Sequence, residues 1–293
     1  MKCGYVAIVG EPNAGKSTLL NALLDEQVAI VTPKPQTTRH RIVGIVNRED
    51  AQLVFLDSPG FHHSKDLLNK TFVDVVDTVI KDADAVCLVL NLQGFDESIN
   101  KQLYQKIKSK PHLVVLNKAD KVEKLEYETL AKRLRDAWGV PEILVLCALR
   151  KLGTQELVMS LLDKVPEGPP LFPQDILTEH SLRFLASELI REQVFLQMHE
   201  EIPYSSTVEV EKYIDPTEEG GLTKIHAAIV VEREAQKGMI IGQGGKRIKE
   251  IGVQARKKIE RLTGGKVFLK LYVKVDSNWS KNPSKLREFG YGE

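Results

Sequence analysis

The chain has 293 residues, about twice the ~150 residues of a common domain, so two ordinary domains are favoured over one large one. Hydrophobic residues make up 42% and charged residues 28%, enough to build packed cores and too apolar for wholesale disorder. The formal net charge of +1 hides a division: residues 237–293 carry 14 Lys and Arg against 5 Asp and Glu, which fits a polyanionic partner such as nucleic acid, while the rest is acidic.

No apolar run approaches the roughly 18 residues of a membrane-spanning helix; the longest include residues 85–90 and 227–231. The apolar stretch before Gly10 is too short for a signal-peptide core, and Cys3, Cys87 and Cys147 show neither a disulfide framework nor metal-ligand spacing. A reducing cytoplasm is the expected setting.

In chain order, the first half alternates short apolar strands with amphipathic stretches. Strands are expected at 5–9, 42–46, 53–56, 85–90, 113–116 and 143–146, and helices near 16–24, 70–82, 98–109, 126–138 and 154–164. Such alternation predicts a parallel sheet with helices on both faces. The run Pro166-Glu-Gly-Pro-Pro-Leu-Phe-Pro173 cannot enter a helix or a central strand and reads as a stiff linker. Domains are therefore expected at 1–165 and 181–293, with 166–180 as the linker. The second is expected to be α+β: a helix over 181–198, strands near 205–214 and 224–232, an apolar turn and glycine loop, a basic helix over 245–262 and a strand over 266–275.

The segment Gly10-Glu-Pro-Asn13-Ala14-Gly15-Lys16-Ser17-Thr18 follows the first strand and opens a helix, as a phosphate-binding loop requires. Glycines let successive N–H groups face phosphates, Lys16 adds charge at the outer phosphates, and Ser17 can ligate Mg2+. After the third strand, Asp57-Ser58-Pro59-Gly60 offers a carboxylate for the metal and a glycine N–H for a terminal phosphate. After the fifth, Asn117-Lys118-Ala119-Asp120 supplies the purine selector, because guanine presents two adjacent N–H donors that one carboxylate can accept; we assign this to Asp120. Cys147-Ala148-Leu149 closes the sixth strand, with the Ala148 N–H available to the guanine carbonyl.

The order and placement of these segments resemble the translation-factor-like small GTPases. That resemblance makes Pro35-Gln36-Thr37-Thr38-Arg39 the switch-one segment, with Thr38, or alternatively Thr37, ligating Mg2+ in the triphosphate state. It assigns catalysis to Lys16, Thr38 and Gly60, and the metal to Ser17, Thr38 and Asp57. Where Ras-like enzymes place a water-orienting glutamine, this chain has Phe61, so intrinsic hydrolysis should be slow.

In the basic half, Gly242-Gln243-Gly244-Gly245 matches the G-x-x-G loop with which KH domains clamp about four nucleotides. Ile241 precedes it, and Lys246, Arg247 and Lys249 follow, on a helix that also carries Arg256, Lys257, Lys258 and Arg261. A groove lined by Ile241, Ile248 and Ile251 is expected to receive the bases. The element order resembles the prokaryotic, type II KH fold.

A P-loop GTPase joined through a proline-rich segment to a KH domain, with Gln36-Thr-Thr-Arg-His-Arg41 in switch one, resembles the Era family over essentially the whole chain. The resemblance implies an α/β GTPase domain followed by an α+β KH domain, cycling between GTP and GDP with Mg2+. It also implies binding to small-subunit ribosomal RNA near its 3′ end, assistance in maturing the small (30S) subunit, a monomer, and peripheral association with the inner membrane. The chain departs from the usual pattern at Ala14 for Val, Ser58 for Thr and Cys147 for Ser, the thiol being the poorer hydrogen-bonding group. Other classes consistent with parts of the sequence are a passive RNA-binding module with a degenerate GTPase half and an unrelated P-loop phosphotransferase.

Overall fold

The structure, a computed structural model, describes residues 1–61, 66–218 and 220–291. It divides into two compact units, the first spanning residues 1–61 and 69–179 and the second residues 66–68 and 180–291.

The first unit is built on six strands: β1 (Lys2–Val9), β2 (Ile42–Arg48), β3 (Ala51–Asp57), β4 (Ala85–Asn91), β5 (His112–Asn117) and β6 (Ile143–Val145). They lie in the order β2-β3-β1-β4-β5-β6. All neighbours are parallel except β2 and β3, which are antiparallel with Arg48 opposite Ala51. Only Glu49 and Asp50 separate those two strands, and so short a connection admits a hairpin but no crossover helix. The alternation expected from the sequence therefore fails at this one edge.

Helices α1 (Lys16–Leu24), α2 (Leu67–Asp82), α3 (Glu97–Ile107), α4 (Lys124–Trp138) and α5 (Thr154–Leu162) cover the sheet. Val76 and Val79 of α2, Leu103 and Ile107 of α3 and Leu134 of α4 join the strand residues Ala7, Val9, Val54 and Leu88 in one buried cluster. Alternate side chains point to opposite faces of a strand, so Val6 and Ile8 belong to the other face, where α1 and α5 pack. This two-sided burial explains why the strands read as continuous apolar runs.

The proline-rich segment is not a free spacer. It runs along the β2 edge of the sheet, where Ile45 N–H donates to Leu177 O at 2.8 Å and Thr178 Oγ1 to Val43 O at 2.6 Å. The fully buried Gln52 accepts from Leu171 N–H (2.7 Å) and Phe172 N–H (2.9 Å) and donates to Phe172 O (2.9 Å). Edge strands leave ladder groups unpaired, and this strap satisfies them. The division between the units accordingly falls after Glu179.

The second unit runs α6 (Leu182–Gln197), β7 (Ser206–Ile214), β8 (Leu222–Val231), α7 (Glu234–Ile241), α8 (Lys246–Thr263), β9 (Lys266–Val275) and α9 (Pro283–Glu288). β7 is antiparallel to β8, and β8 is parallel to β9, in the order β7-β8-β9. Ile251, Ala255 and Ile259 recur at helical spacing on α8 and are fully buried, leaving Lys246, Lys249, Arg256, Lys257 and Arg261 exposed. Met239–Ile241, expected as an apolar turn, form the last turn of α7. The short α9 is capped by Asn282, whose side chain accepts from Ser284 and Lys285 N–H.

Candidate functional site

In the first unit, the loop from Gly10 to Ser17 leaves β1 and enters α1 beside a cavity of about 290 Å3. Two glycines are dictated by their surroundings. A Cβ on Gly10 would lie 2.3 Å from Val89 O, and one on Gly15, whose φ is +92°, would lie 2.3 Å from Asn117 Nδ2. Asn13 also has positive φ (60°) and donates to Pro33 O at 3.4 Å. Thr18, Lys118 and Gly60 line the same cavity. Gly60 has its own constraint, because a Cβ there would meet Pro12 Cα at 2.7 Å.

Lys16 is buried and its Nζ donates to Gly10 O (3.1 Å) and Glu11 O (3.0 Å). Burial pulls its pKa down to about 8, against the opposing pull of Asp57 and Glu11. Ser17 Oγ donates to Asp57 Oδ2 at 2.6 Å and lies 2.7 Å from Thr38 Oγ1. Burial pushes the Asp57 carboxyl up to about 6, even though Lys16 and Ser17 stabilise its anion. Asp57 Oδ1 is buried without a hydrogen-bond partner among the described residues. Three oxygen-bearing side chains thus converge and one carboxylate oxygen is unused, a donor set that fits a hard divalent cation such as Mg2+. Thr37 does not join them: its hydroxyl donates to Lys34 O at 2.8 Å and lies 2.6 Å from Thr32 Oγ1.

The base-edge segments are tied together by Asn117, which is buried at the end of β5. Its Nδ2 donates to Ala14 O (2.9 Å), and its Oδ1 accepts from Lys118 N–H (2.8 Å) and Ala148 N–H (3.0 Å). The Ala148 N–H, which the sequence offers to a base, is therefore already engaged. Cys147 Sγ donates to Asp120 Oδ1 at 3.1 Å, and Arg150 Nε lies 3.9 Å from Asp120 Oδ2. The thiol hydrogen bond, followed by Arg150 and Lys121, holds the Asp120 carboxyl below its usual range. Lys118 adopts φ 67° and its pKa is lowered by burial. Leu149 lies in the single turn Ala148–Arg150 with its side chain 74% exposed. Ser58 is turned inward, its Oγ donating to Ile8 O at 2.9 Å.

Phe61 is 4% exposed and belongs to the core cluster under α2 and α3, with Lys106 Nζ 5.6 Å from its ring centroid. Sequence reasoning passed over Glu11, a buried carboxyl that accepts from Asn91 and Asp96 N–H, both at 3.3 Å, and whose pKa is raised by burial. Nothing local marks that role, because its partners lie about 80 residues away.

In the second unit, Gly242, Gly244 and Gly245 have φ of 68°, 60° and 74°, so the loop between α7 and α8 requires glycine at three positions. A Cβ on Gly242 would also meet Arg247 Cβ at 2.8 Å. Arg247 Nη1 donates to Met239 O at 2.9 Å and braces the loop, while Gln243, Lys246 and Lys249 are exposed. Beside the loop lies a groove of about 330 Å3, lined by Ile248, Lys249, Gly252, Val253 and Arg256 of α8 and by Leu269 and Leu271 of β9. Two expectations need correcting. Ile251 is fully buried and faces the core instead of the groove. Lys258 is engaged internally, its Nζ lying 2.6 Å from Glu192 Oε2, a side chain 1% exposed. Ile241 is partly buried at the end of α7.

A loop of the phosphate-binding pattern, a convergent set of oxygen donors and a carboxylate at the carboxyl ends of parallel strands are the arrangement of a P-loop GTPase, here carrying a KH-type domain. Residues 5–118 match the family described as 50S ribosome-binding GTPase, and residues 201–280 match the KH domain family. The GTPase Era of Desulfovibrio desulfuricans is 43% identical over 298 residues, covering 99% of this chain and 97% of the relative. That of Geotalea uraniireducens is also 43% identical, over 99% of this chain and 98% of its own length. An Aquifex aeolicus Era variant solved with GDP·AlF4− superposes at a TM-score of 0.94 with 39% identity and complete coverage of both chains. An Era structure with MgGDPNP and nucleotides 1506–1542 of 16S ribosomal RNA matches with the same values. The chain belongs to the Era family of GTPases.

Proposed function

We propose that this chain is a GTP-hydrolysing switch that binds the 3′ end of small-subunit ribosomal RNA through its KH domain and assists maturation of the 30S subunit. The observation that carries the nucleotide half is the meeting of Ser17, Asp57 and Thr38, with Asp57 Oδ1 left unsatisfied beside the phosphate loop.

The triphosphate is bound by backbone N–H groups from Asn13 to Thr18 and by Lys16, whose ammonium exchanges two loop carbonyls for phosphate oxygens. An anion there stabilises the charged lysine that burial disfavours. Ser17, Thr38 and Asp57 would hold Mg2+, which when bound supplies Lewis-acid stabilisation of the phosphate charge. Gly60 presents its N–H to the terminal phosphate. Asp120 accepts both guanine N–H donors, with Cys147 holding its carboxylate in place and with Asn117, Lys118, Ala148 and Leu149 shaping the base edge. Since the Phe61 ring lies in the core, no side chain at that position orients an attacking water, and basal turnover is slow.

The groove beside Gly242–Gly245 would take the RNA, and a relative has been solved in complex with nucleotides 1506–1542 of 16S ribosomal RNA. Lys246 and Lys249 contact phosphates, while Ile248, Val253, Leu269 and Leu271 face the bases. A cytoplasmic monomer is part of the same proposal; among the described residues no helix is long and apolar enough to cross a membrane. Peripheral membrane contact is part of the same proposal and is read by flotation with anionic vesicles.

Calorimetry with GTP, GDP and xanthosine triphosphate, with and without Mg2+, tests the reading. Guanine nucleotides should bind with Mg2+ dependence, and Asp120→Asn should move preference toward xanthine. No binding to well-folded protein, or an unchanged preference in the variant, overturns it.

A further inference from the structure

Strand β9 reads Lys266-Val-Phe-Leu-Lys-Leu-Tyr-Val-Lys-Val275, and its two faces differ. Leu269 and Leu271 point toward α8 and line the groove, and Val267 and Val273 are buried. The other face carries Lys266, Phe268, Lys270, Tyr272 and Lys274. β8 continues that face in register: Lys224 lies opposite Phe268, and His226 opposite Lys270. The Phe268 ring is 49% exposed and meets His226 edge-on, with centroids 6.3 Å apart. Lys224, Lys266 and Lys270 are exposed and form no ion pair among the described residues. Farther along, Tyr272 donates to Glu211, and Lys274 lies 3.3 Å from Glu209, so charge is balanced there and left unbalanced around Phe268.

The Phe268 ring keeps half its surface in solvent, and around it stand three lysines that form no ion pair among the described residues and repel one another. Both features are suited to a ligand that brings phosphates and π-faces together. Same-face side chains along a strand recur about every 6.6 Å, so Lys266, Phe268 and Lys270 form an alternating charge–ring–charge row. Sheet aromatics that stack bases, flanked by basic side chains, are a general means of holding single-stranded RNA. β9 is also the free edge of its sheet, so the groove and this face are the two sides of one strand.

We propose that the outer face of the β7–β8–β9 sheet is a second RNA surface. Phe268 stacks an unpaired base, and Lys224, Lys266 and Lys270 hold the adjoining phosphates of the same RNA whose neighbouring nucleotides fill the groove. The inference rests on the RNA reading above.

The test uses the full chain and fluorescently labelled RNA: the 3′-terminal segment of 16S ribosomal RNA, and the tightest-binding hexamer tiled from it, which is long enough for the groove alone. Phe268→Ala should weaken the long RNA roughly 5- to 100-fold, the range expected for one lost base–aromatic stack, and leave the hexamer within twofold. Phe268→Trp should retain long-RNA affinity. Lys266→Gln with Lys270→Gln should reduce the slope of log affinity against log salt by about 1.4 for the long RNA, two single-strand phosphate contacts, and not for the hexamer. Unchanged long-RNA affinity in Phe268→Ala overturns the proposal and leaves the face to a protein or to no partner. Equal losses on both RNAs also overturn it, since Phe268 would then act through the fold. Gly244→Asp serves as the separate control: retained hexamer binding there refutes the groove reading itself.

Discussion

Replacing Asn117 by Ala should destabilise the first unit as well as weaken nucleotide binding. The side chain is 2% exposed and makes three hydrogen bonds to backbone groups of three different loops. Alanine leaves Ala14 O and Ala148 N–H buried and unpaired. Each such group costs about 1–3 kcal/mol, and the half-buried Lys118 N–H adds less. A loss of about 3 kcal/mol is expected, a large share of the 5–15 kcal/mol that usually holds a domain together. For a unit of this size it corresponds to a fall in melting temperature of roughly 6–12 °C. Urea unfolding of the full chain, with hydrogen exchange read on peptides from residues 1–179, isolates the effect from the second unit. Asn117→Asp sharpens the test. Its carboxylate still accepts from Lys118 and Ala148, but places an oxygen where Nδ2 stood, 2.9 Å from Ala14 O. Protonation restores a donor, so folding raises the pKa of this carboxyl, and the deficit should shrink as pH falls and grow as pH rises. An Asn117→Ala variant within 0.5 kcal/mol of the parent would refute the view that this residue ties the loops together.

Three further outcomes follow from the site. Asp57 titrates near 6 in the free protein, above its value of 3.8 when solvated, so the folded state holds the proton more tightly. Its contribution to apo stability is therefore greatest below about 3.8 and is lost as pH rises through about 6. Mg2+ needs the carboxylate, so Mg2+-dependent nucleotide affinity should fall about tenfold per pH unit below 6 and stay level just above it; a Mg2+ titration across pH 5–8 that stays flat would contradict the burial argument. Phe61→Gln should lower stability by roughly 2–5 kcal/mol through burial of an amide in place of a core ring, and should not accelerate single-turnover hydrolysis. A tenfold acceleration would mean that the residue reaches the reacting water. Cys147→Ser should tighten GDP binding about 3- to 10-fold in nucleotide displacement, because a hydroxyl donates more strongly than a thiol to the Asp120 carboxylate; weaker binding would show that the thiol's bulk matters more than its hydrogen bond.

Much of this was legible in the linear chain because the signals are local. The phosphate loop is one contiguous segment whose glycines, lysine and serine act through backbone geometry fixed within a single turn, and its place between a strand and a helix follows from periodicity. The KH loop is legible for the same reason, since three positive φ values within four residues demand glycine. The strands are legible because a doubly covered sheet demands continuous apolar runs. The antiparallel β2 was less visible, because a two-residue connection looks like any other turn until its partner strand is known. Ile251 and Ile248 show the limit of pattern reading: three residues apart on one helix, one faces the core and the other the groove, and only the packing of α6 and β9 against α8 separates them.

The phosphate-loop pattern, the Asn117-Lys-Ala-Asp120 segment and the G-x-x-G loop are each legible from the sequence alone, because each is written in neighbouring residues. Tertiary structure decided that Thr38 and not Thr37 meets Ser17, that Asn117 binds three loops, that Phe61 lies in the core and that the proline-rich segment straps the β2 edge. Each of these depends on contacts between residues far apart in the chain, and burial, which sets both the hydrogen bonds and the pKa values of Lys16 and Asp57, exists only after the chain has folded.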